Sequence, residues 1–91
     1  MYAKGGDYMA NFNIGSRLKE IRESRDLSLD MVSKEVKERY NVNINKGKLS
    51  KWENDINMPR LSEIAALVKY YNVSLDYIIG LTDKMTPPHL R

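Results

Sequence analysis

Apolar residues recur at helical spacing in five successive stretches of the chain. In the first stretch, Ile14, Leu18 and Ile21 share one side of a predicted helix from about residue 14 to 25. The other stretches cover about residues 28–40, 45–53, 60–72 and 74–80. The positions expected to form the core are Leu18, Ile21, Val32, Val36, Leu49, Trp52, Ile64 and Leu67. The pattern therefore predicts an all-α domain of five helices.

Polar residues mark the predicted ends of these helices. Residues that favour the N-cap position precede four of them, namely Asn13, Ser28, Asn45 and Ser74. Asp26 and Asn72 follow the first and fourth helices, where a left-handed residue commonly ends a helix. Leu61, near the start of the fourth helix, is expected on its apolar side. Residues 41–45 alternate like a strand, but because no matching partner strand exists we expect a loop with Ile44 turned inward.

The third helix combines a short cationic surface with two large apolar side chains. Leu49 and Trp52 are three residues apart and share one face, which can anchor the helix to the core. The polar residues outside that face are Lys46, Lys48, Ser50 and Lys51. An early Gly47 costs about 1 kcal/mol relative to alanine, so it is either tolerated in a first turn or lets the backbone approach a partner closely. One face is thus anchored and the other is presented.

Composition excludes several classes of function. The 91 residues suffice for one domain but not for a second, catalytic one. Without cysteine, and with a single histidine, His89, in a Pro-rich tail, we expect neither a metal site nor a cofactor nor enzymatic activity. No apolar run reaches the roughly 20 residues of a membrane span, so we expect a cytoplasmic protein. The net charge of +3 agrees with a nucleic-acid partner.

The two ends of the chain lack any helical period. Residues 1–12 contain a Gly5-Gly6 pair and are expected to be a disordered leader. Codons for Lys4 to Asp7 can spell a bacterial ribosome-binding sequence, which makes Met9 a candidate for the true start. Residues 82–91 contain Pro87-Pro88 and are expected to be a flexible tail or linker, which leaves 13–81 as the domain.

Several ordered motifs make the chain resemble the Xre family of helix-turn-helix regulators, which includes phage Cro and repressor proteins. The matching segments are residues 14–22, Leu27-Ser28, residues 49–54, Pro59 and residues 72–80. The resemblance implies a five-helix phage-repressor-like domain that binds double-stranded DNA, usually as a dimer, and a start at Met9 would indicate a bacterial or phage origin. The second helix and its turn are longer than the short turn typical of the motif, by about six residues. Leu29 also stands where the family often has a phosphate-binding glutamine, a role that leucine cannot fill.

The same resemblance assigns roles to individual residues. The base-reading positions fall on Lys46, Gly47, Lys48 and Lys51, with Ser50 able to join them. Lysine can donate to guanine O6 and N7 in the major groove, although lysines that only neutralise phosphate would confer affinity without sequence preference. The candidates for phosphate contact are Asn45, Asn54 and Arg60, and the lengthened second helix adds Lys37 and Arg39.

Arg22 and Glu53 match a pair that bridges the first and third helices in many family members. Each follows a core residue, so both are expected to be partly buried and to need a partner. The alternative is a surface pair worth about 0–1 kcal/mol. Trp52 likewise has two interpretations, a core residue or an aromatic that stacks on DNA.

The last helix offers more apolar groups than so short an element can easily bury. Candidates for contact with a second copy are Leu75, Tyr77, Ile78 and Leu81, although all could instead pack into the monomer. We expect a DNA-binding repressor acting as a homodimer. Two alternatives are an antitoxin-type protein that binds a toxin and represses its own promoter, and a helical adaptor that binds proteins and no DNA. Steep salt dependence of DNA binding would exclude the adaptor.

Overall fold

The computed structural model describes residues 13–87, which contain five α-helices and no strand. The helices are α1 (Ile14–Ser24), α2 (Leu29–Tyr40), α3 (Lys46–Glu53), α4 (Leu61–Tyr71) and α5 (Leu75–Ile78). The predicted all-α class is therefore confirmed for this part of the chain. The expected leader, the candidate start at Met9 and the tail histidine His89 lie outside the described residues. No helix between residues 13 and 87 is long and apolar enough to cross a bilayer.

Local sequence explains where most of the helices begin and end. The side chains of Ser28, Asn45 and Ser74 each accept a hydrogen bond from the backbone N–H three residues later, as N-caps do. Asp26 and Asn72 adopt the left-handed backbone, with φ of 55° and 54°. The expected cap by Asn13 is wrong. Asn13 is itself left-handed, with φ of 55°, and its side chain makes no cap hydrogen bond.

All five helices and the loop residues Ile44 and Val73 contribute to the core, and α3 packs mainly against α1 and α2. All eight side chains expected in the core are buried there. Ile44 is 2% exposed, so the segment Asn41 to Asn45 is a loop that inserts one apolar side chain beneath itself. Leu61 departs from its prediction because it is the first residue of α4, at the edge of the domain, and is 78% exposed.

Residues 82–87 return to the domain, whereas a separate flexible tail was expected from residue 82. The backbone carbonyl of Met85 accepts a hydrogen bond from Ser74 N at 2.8 Å, and Pro87 is buried. Arg17 on α1 donates to the carbonyl of Thr82 at 3.3 Å and contacts Asp83 at 3.2 Å. A segment without helical period can still contribute single apolar side chains and backbone acceptors, which periodicity does not detect.

Candidate nucleic-acid interface

Helix α3 is held in the domain by its apolar face and by its cap. Leu49 and Trp52 are 2% and 4% exposed, so Trp52 is a core residue and is not available to stack on a base. Asn45 Oδ1 accepts a hydrogen bond from Lys48 N at 2.8 Å, which fixes the first turn. The rest of the α3 surface faces solvent. The buried face and the cap therefore determine the direction in which the α3 lysines point.

A buried ion pair joins α3 to α1. Arg22 Nε lies 2.7 Å from Glu53 Oε2, and Arg22 Nη2 donates to Glu53 Oε1 at 2.9 Å, so the contact is bidentate. The two side chains are only 13% and 4% exposed. Arg22 Nη1 also donates to the carbonyl of Leu27 at 2.8 Å, in the turn before α2. The hydrogen bond to Glu53 raises the pKa of the Arg22 guanidinium above its ordinary value, which favours the charged form.

A second link between α1 and the end of α3 was not expected from the sequence. The backbone N–H of Gly15 donates to Asp55 Oδ1 at 3.1 Å, just after α3, where Asp55 is left-handed with φ of 57°. A Cβ on Gly15 would lie 2.5 Å from Asp55 Oδ1 and 2.5 Å from the carbonyl oxygen of Trp52. Glycine is therefore required at position 15 by close approach. The signal in the sequence was a glycine in the first turn of a helix, where it lowers helix propensity.

The exposed face of α3 carries the predicted base-reading residues. Lys46, Gly47, Lys48 and Lys51 are exposed and Ser50 is half-buried. Lys46 Nζ lies 3.7 Å from Asp30, and Lys48 Nζ lies 3.5 Å from Glu63. The Lys51 side chain has no ion pair or hydrogen bond within residues 13–87. The three lysines are thus spread around the solvent side of α3, with Lys46 toward α2, Lys48 toward α4 and the unengaged Lys51 between them.

Gly47 has a structural reason that neither sequence interpretation included. A Cβ at this position would lie 3.2 Å from Asn45 Oδ1, the oxygen that caps α3. The contact is tight, so a larger residue would press on the cap, but the cap could yield by a few tenths of an ångström. Glycine here serves the first turn of α3, and its exposure leaves the backbone accessible as well.

The candidates for phosphate contact divide into two groups. Lys37 on α2 lines an open cleft of about 520 Å³ between α2 and α3, together with Lys34 and Lys48. Arg39 is two residues further along α2, roughly 200° around the helix. Its guanidinium lies 5.2 Å from the ring centre of Tyr70, on α4. The structure therefore places Lys37 beside α3 and Arg39 away from it.

The other phosphate candidates flank α3 and are exposed. Asn45 retains its amide group after capping α3, whereas Asn54 Nδ2 already donates to the carbonyl of Ser50 at 2.8 Å. The backbone N–H of Arg60 donates to Glu63 Oε1 at 2.8 Å and is therefore not open to phosphate. Only the side chain of Arg60 is left to contact an anion. Glu63 is the residue of this surface that sequence reasoning missed.

Of the four candidates for contact with a second copy, two are buried and two are exposed. Tyr77 and Ile78 are 5% and 0% exposed, so their assignment to a dimer surface is wrong; both belong to the monomer core. Leu75 and Leu81 remain exposed. Leu75 lines a mostly apolar groove of about 330 Å³ whose other lining residues are Ile14, Met58, Pro59, Leu61, Ile64 and Ile79. An exposed apolar surface that includes Leu61 and Leu75 therefore lies between α4 and α5.

Comparison with known proteins agrees with this architecture. A family described as a helix-turn-helix domain matches residues 15–84. The chain is also 30% identical over 71 residues to YobD of Bacillus subtilis (strain 168), which is named an uncharacterized HTH-type transcriptional regulator. The alignment covers 78% of this chain and 58% of that relative, so the chain spans little more than half of the relative's length. No solved structure matches the chain.

Proposed function

The chain belongs to the helix-turn-helix domain family, and from that premise we propose that it is a DNA-binding transcriptional regulator. We propose further that it binds double-stranded DNA sequence-specifically and reads the major groove with residues 46–53. The observation that carries this proposal is the division of α3 into two faces. Leu49 and Trp52 are buried, whereas Lys46, Lys48 and Lys51 are all exposed around the rest of the helix.

The three lysines differ in how they would meet DNA. Lys51 has an unengaged ammonium in the last turn of α3, so it is the residue best suited to donate to guanine O6 and N7. Lys37, Asn45 and the side chain of Arg60 lie around α3, where they would contact phosphates and set the orientation of the helix. The proposed operator therefore contains a G·C pair opposite Lys51.

A homodimeric repressor, as the Xre resemblance implies, is supported by the apolar groove between α4 and α5. Leu61 and Leu75, on the rim of this groove, are 78% and 40% exposed. A twofold dimer formed through these side chains would present two copies of α3, as helix-turn-helix dimers do. Half-sites about one helical turn apart, roughly 34 Å, follow from that arrangement.

Selection of bound duplexes from a random DNA pool at physiological salt tests the proposal. We expect a near-palindromic motif and a binding constant that falls with salt by about 0.9 per phosphate neutralised, in a log–log plot. Lys51→Met should remove enrichment at one base position in each half-site and weaken operator binding by about 1–3 kcal/mol. Lys19→Met, on the exposed side of α1, is the matched control and should change neither. Absence of any enriched motif would contradict the proposal.

The two alternative functions give different results in the same experiments. A protein adaptor would bind duplex DNA weakly, with no enriched motif. An antitoxin-type regulator would enrich a motif and, in addition, form a complex with a second protein. The exposed cations of α3 favour the regulator over the adaptor, because an apolar groove alone would not require them.

A further inference from the structure

Glu63, in the first turn of α4, contacts the candidate recognition surface with one of its two carboxylate oxygens. Its Oε1 accepts the hydrogen bond from Arg60 N at 2.8 Å, and its Oε2 lies 3.5 Å from Lys48 Nζ. The Glu63 side chain is only 11% exposed, whereas that of Lys48 is 51% exposed. One end of this ion pair is therefore fixed in the domain and the other is in solvent.

The three lysines of α3 are held differently. The Lys46–Asp30 pair is 3.7 Å long, with side chains 66% and 76% exposed, so both partners can move. Lys51 has no side-chain partner in residues 13–87. Lys48 is the lysine whose acidic partner is immobilised, because Glu63 is tied to the backbone of α4 and sits where the helix dipole favours an anion.

The cap itself does not require a charge. Capping of the residue 60 N–H needs one acceptor oxygen, and glutamine supplies that acceptor as well as glutamate does. The second oxygen and the negative charge are thus available to Lys48. Lys48 and Arg60 also line an open cleft of about 300 Å³ together with Glu63, so a DNA phosphate that entered this cleft would meet a carboxylate.

We propose that Glu63 is a specificity-determining positioning residue for Lys48. By holding the Lys48 ammonium on the α4 side of α3, Glu63 directs this ammonium to one base position. Glu63 also keeps the ammonium from binding a phosphate wherever along the DNA the protein is bound. Specificity then results from the Glu63 carboxylate, which repels phosphate, as well as from the Lys48 ammonium, which donates to a base. This inference rests on the proposed function, because it concerns which DNA the lysine selects.

Glu63→Gln tests the proposal, since it keeps the cap and removes the charge. In selection from a random pool we expect weaker enrichment at the base position that Lys48 reads. The ratio of operator to non-specific affinity should fall at least about fivefold, the equivalent of about 1 kcal/mol of discrimination per base contact. Non-specific affinity should rise, and its log–log salt dependence should steepen by about 0.9, because Lys48 becomes free to neutralise a phosphate.

Asp30→Asn is the matched control, because it also removes a carboxylate beside a lysine of α3, but an exposed one. It should leave the selected motif unchanged. Lys48→Met, which leaves Glu63 and its cap in place, should lose enrichment at the position that Glu63→Gln weakens. The double variant should then select the same motif as Lys48→Met alone.

The outcomes separate the two proposals. If the parent selects no motif, the proposed function fails. If the parent selects a motif and folded Glu63→Gln selects the same one with the same affinity ratio, the role of Glu63 is refuted. If Lys48→Met still shows the parent's enrichment at every base position, the role of Glu63 is also refuted. This result does not depend on the stability of Glu63→Gln.

Discussion

Removal of one member of the Arg22–Glu53 pair should destabilise the domain by several kcal/mol. The pair is bidentate, with contacts of 2.7 and 2.9 Å, and Glu53 is almost inaccessible to water. In Arg22→Met, the Glu53 carboxylate loses its partner inside the protein, and such a stranded charge costs about 3–5 kcal/mol. For a small domain, whose total stability is roughly 5–15 kcal/mol, this loss removes between about a fifth of the stability and all of it.

The two single variants should not be equal. Arg22→Met also removes the hydrogen bond to the carbonyl of Leu27, worth about 1 kcal/mol. In Glu53→Met, by contrast, Arg22 keeps that bond and some access to solvent, since its side chain is 13% exposed. We therefore expect Arg22→Met to be the more destabilising variant by about 1 kcal/mol. The double variant strands neither charge and should recover about 2 kcal/mol or more relative to the sum of the singles.

Urea denaturation at neutral pH, followed by circular dichroism, gives the four free energies of the cycle. The coupling should persist at 0.5 M salt, because buried charges are screened little. The Arg17–Asp83 pair is the matched control. The Arg17 side chain is 16% exposed, a fraction similar to that of Arg22, but the Asp83 side chain is 99% exposed. Its coupling should be about 0–1 kcal/mol. A coupling for Arg22–Glu53 as small as that of the control would refute the reasoning.

Three further predictions address the packing of α3, the alkaline limit of stability and the proposed dimer. Gly15→Ala should cost about 1–3 kcal/mol in urea denaturation, because its Cβ would lie 2.5 Å from Asp55 Oδ1; an unchanged midpoint would contradict the close approach. Burial and the hydrogen bond to Glu35 raise the pKa of Tyr70 to about 12. The stability that Tyr70 contributes in its protonated form is therefore fully present below pH 10, the ordinary pKa of tyrosine, and is lost as the pH rises toward 12. The Tyr70→Phe variant should not show this part of the alkaline loss of stability. Leu61→Asp should leave the free energy of unfolding almost unchanged and shift sedimentation toward the monomer, and a dimer that persists would exclude the groove between α4 and α5 as its interface.

Helix positions and most of the core followed from sequence because both depend on local spacing. Ser28 and Asn45 have the chemistry of N-caps, and each caps the expected helix. Asn13 shows the limit of this reasoning. The same side chain that can cap a helix can also adopt a left-handed backbone, and the sequence does not determine which of the two occurs.

The assignment of Tyr77 and Ile78 to a dimer surface was wrong because α5 has only four residues. So short a helix does not repeat, so its spacing cannot distinguish Ile78, which is in the core, from Leu75, which is exposed. The contact between Lys48 and Glu63 was missed for another reason. The two residues lie on separate helices joined by a loop, and their distance depends on how α4 packs beside α3.

Trp52 is the chain's sole tryptophan, and it lies on the buried side of the helix proposed to read DNA. The fluorescence of Trp52 therefore reports, without any added label, whether α3 is packed against the rest of the domain. A red-shifted emission with unchanged far-ultraviolet ellipticity would identify a variant in which α3 has left its site while the other helices persist. Loss of DNA binding could then be attributed either to an altered contact surface or to a displaced helix, from two spectra of the same sample.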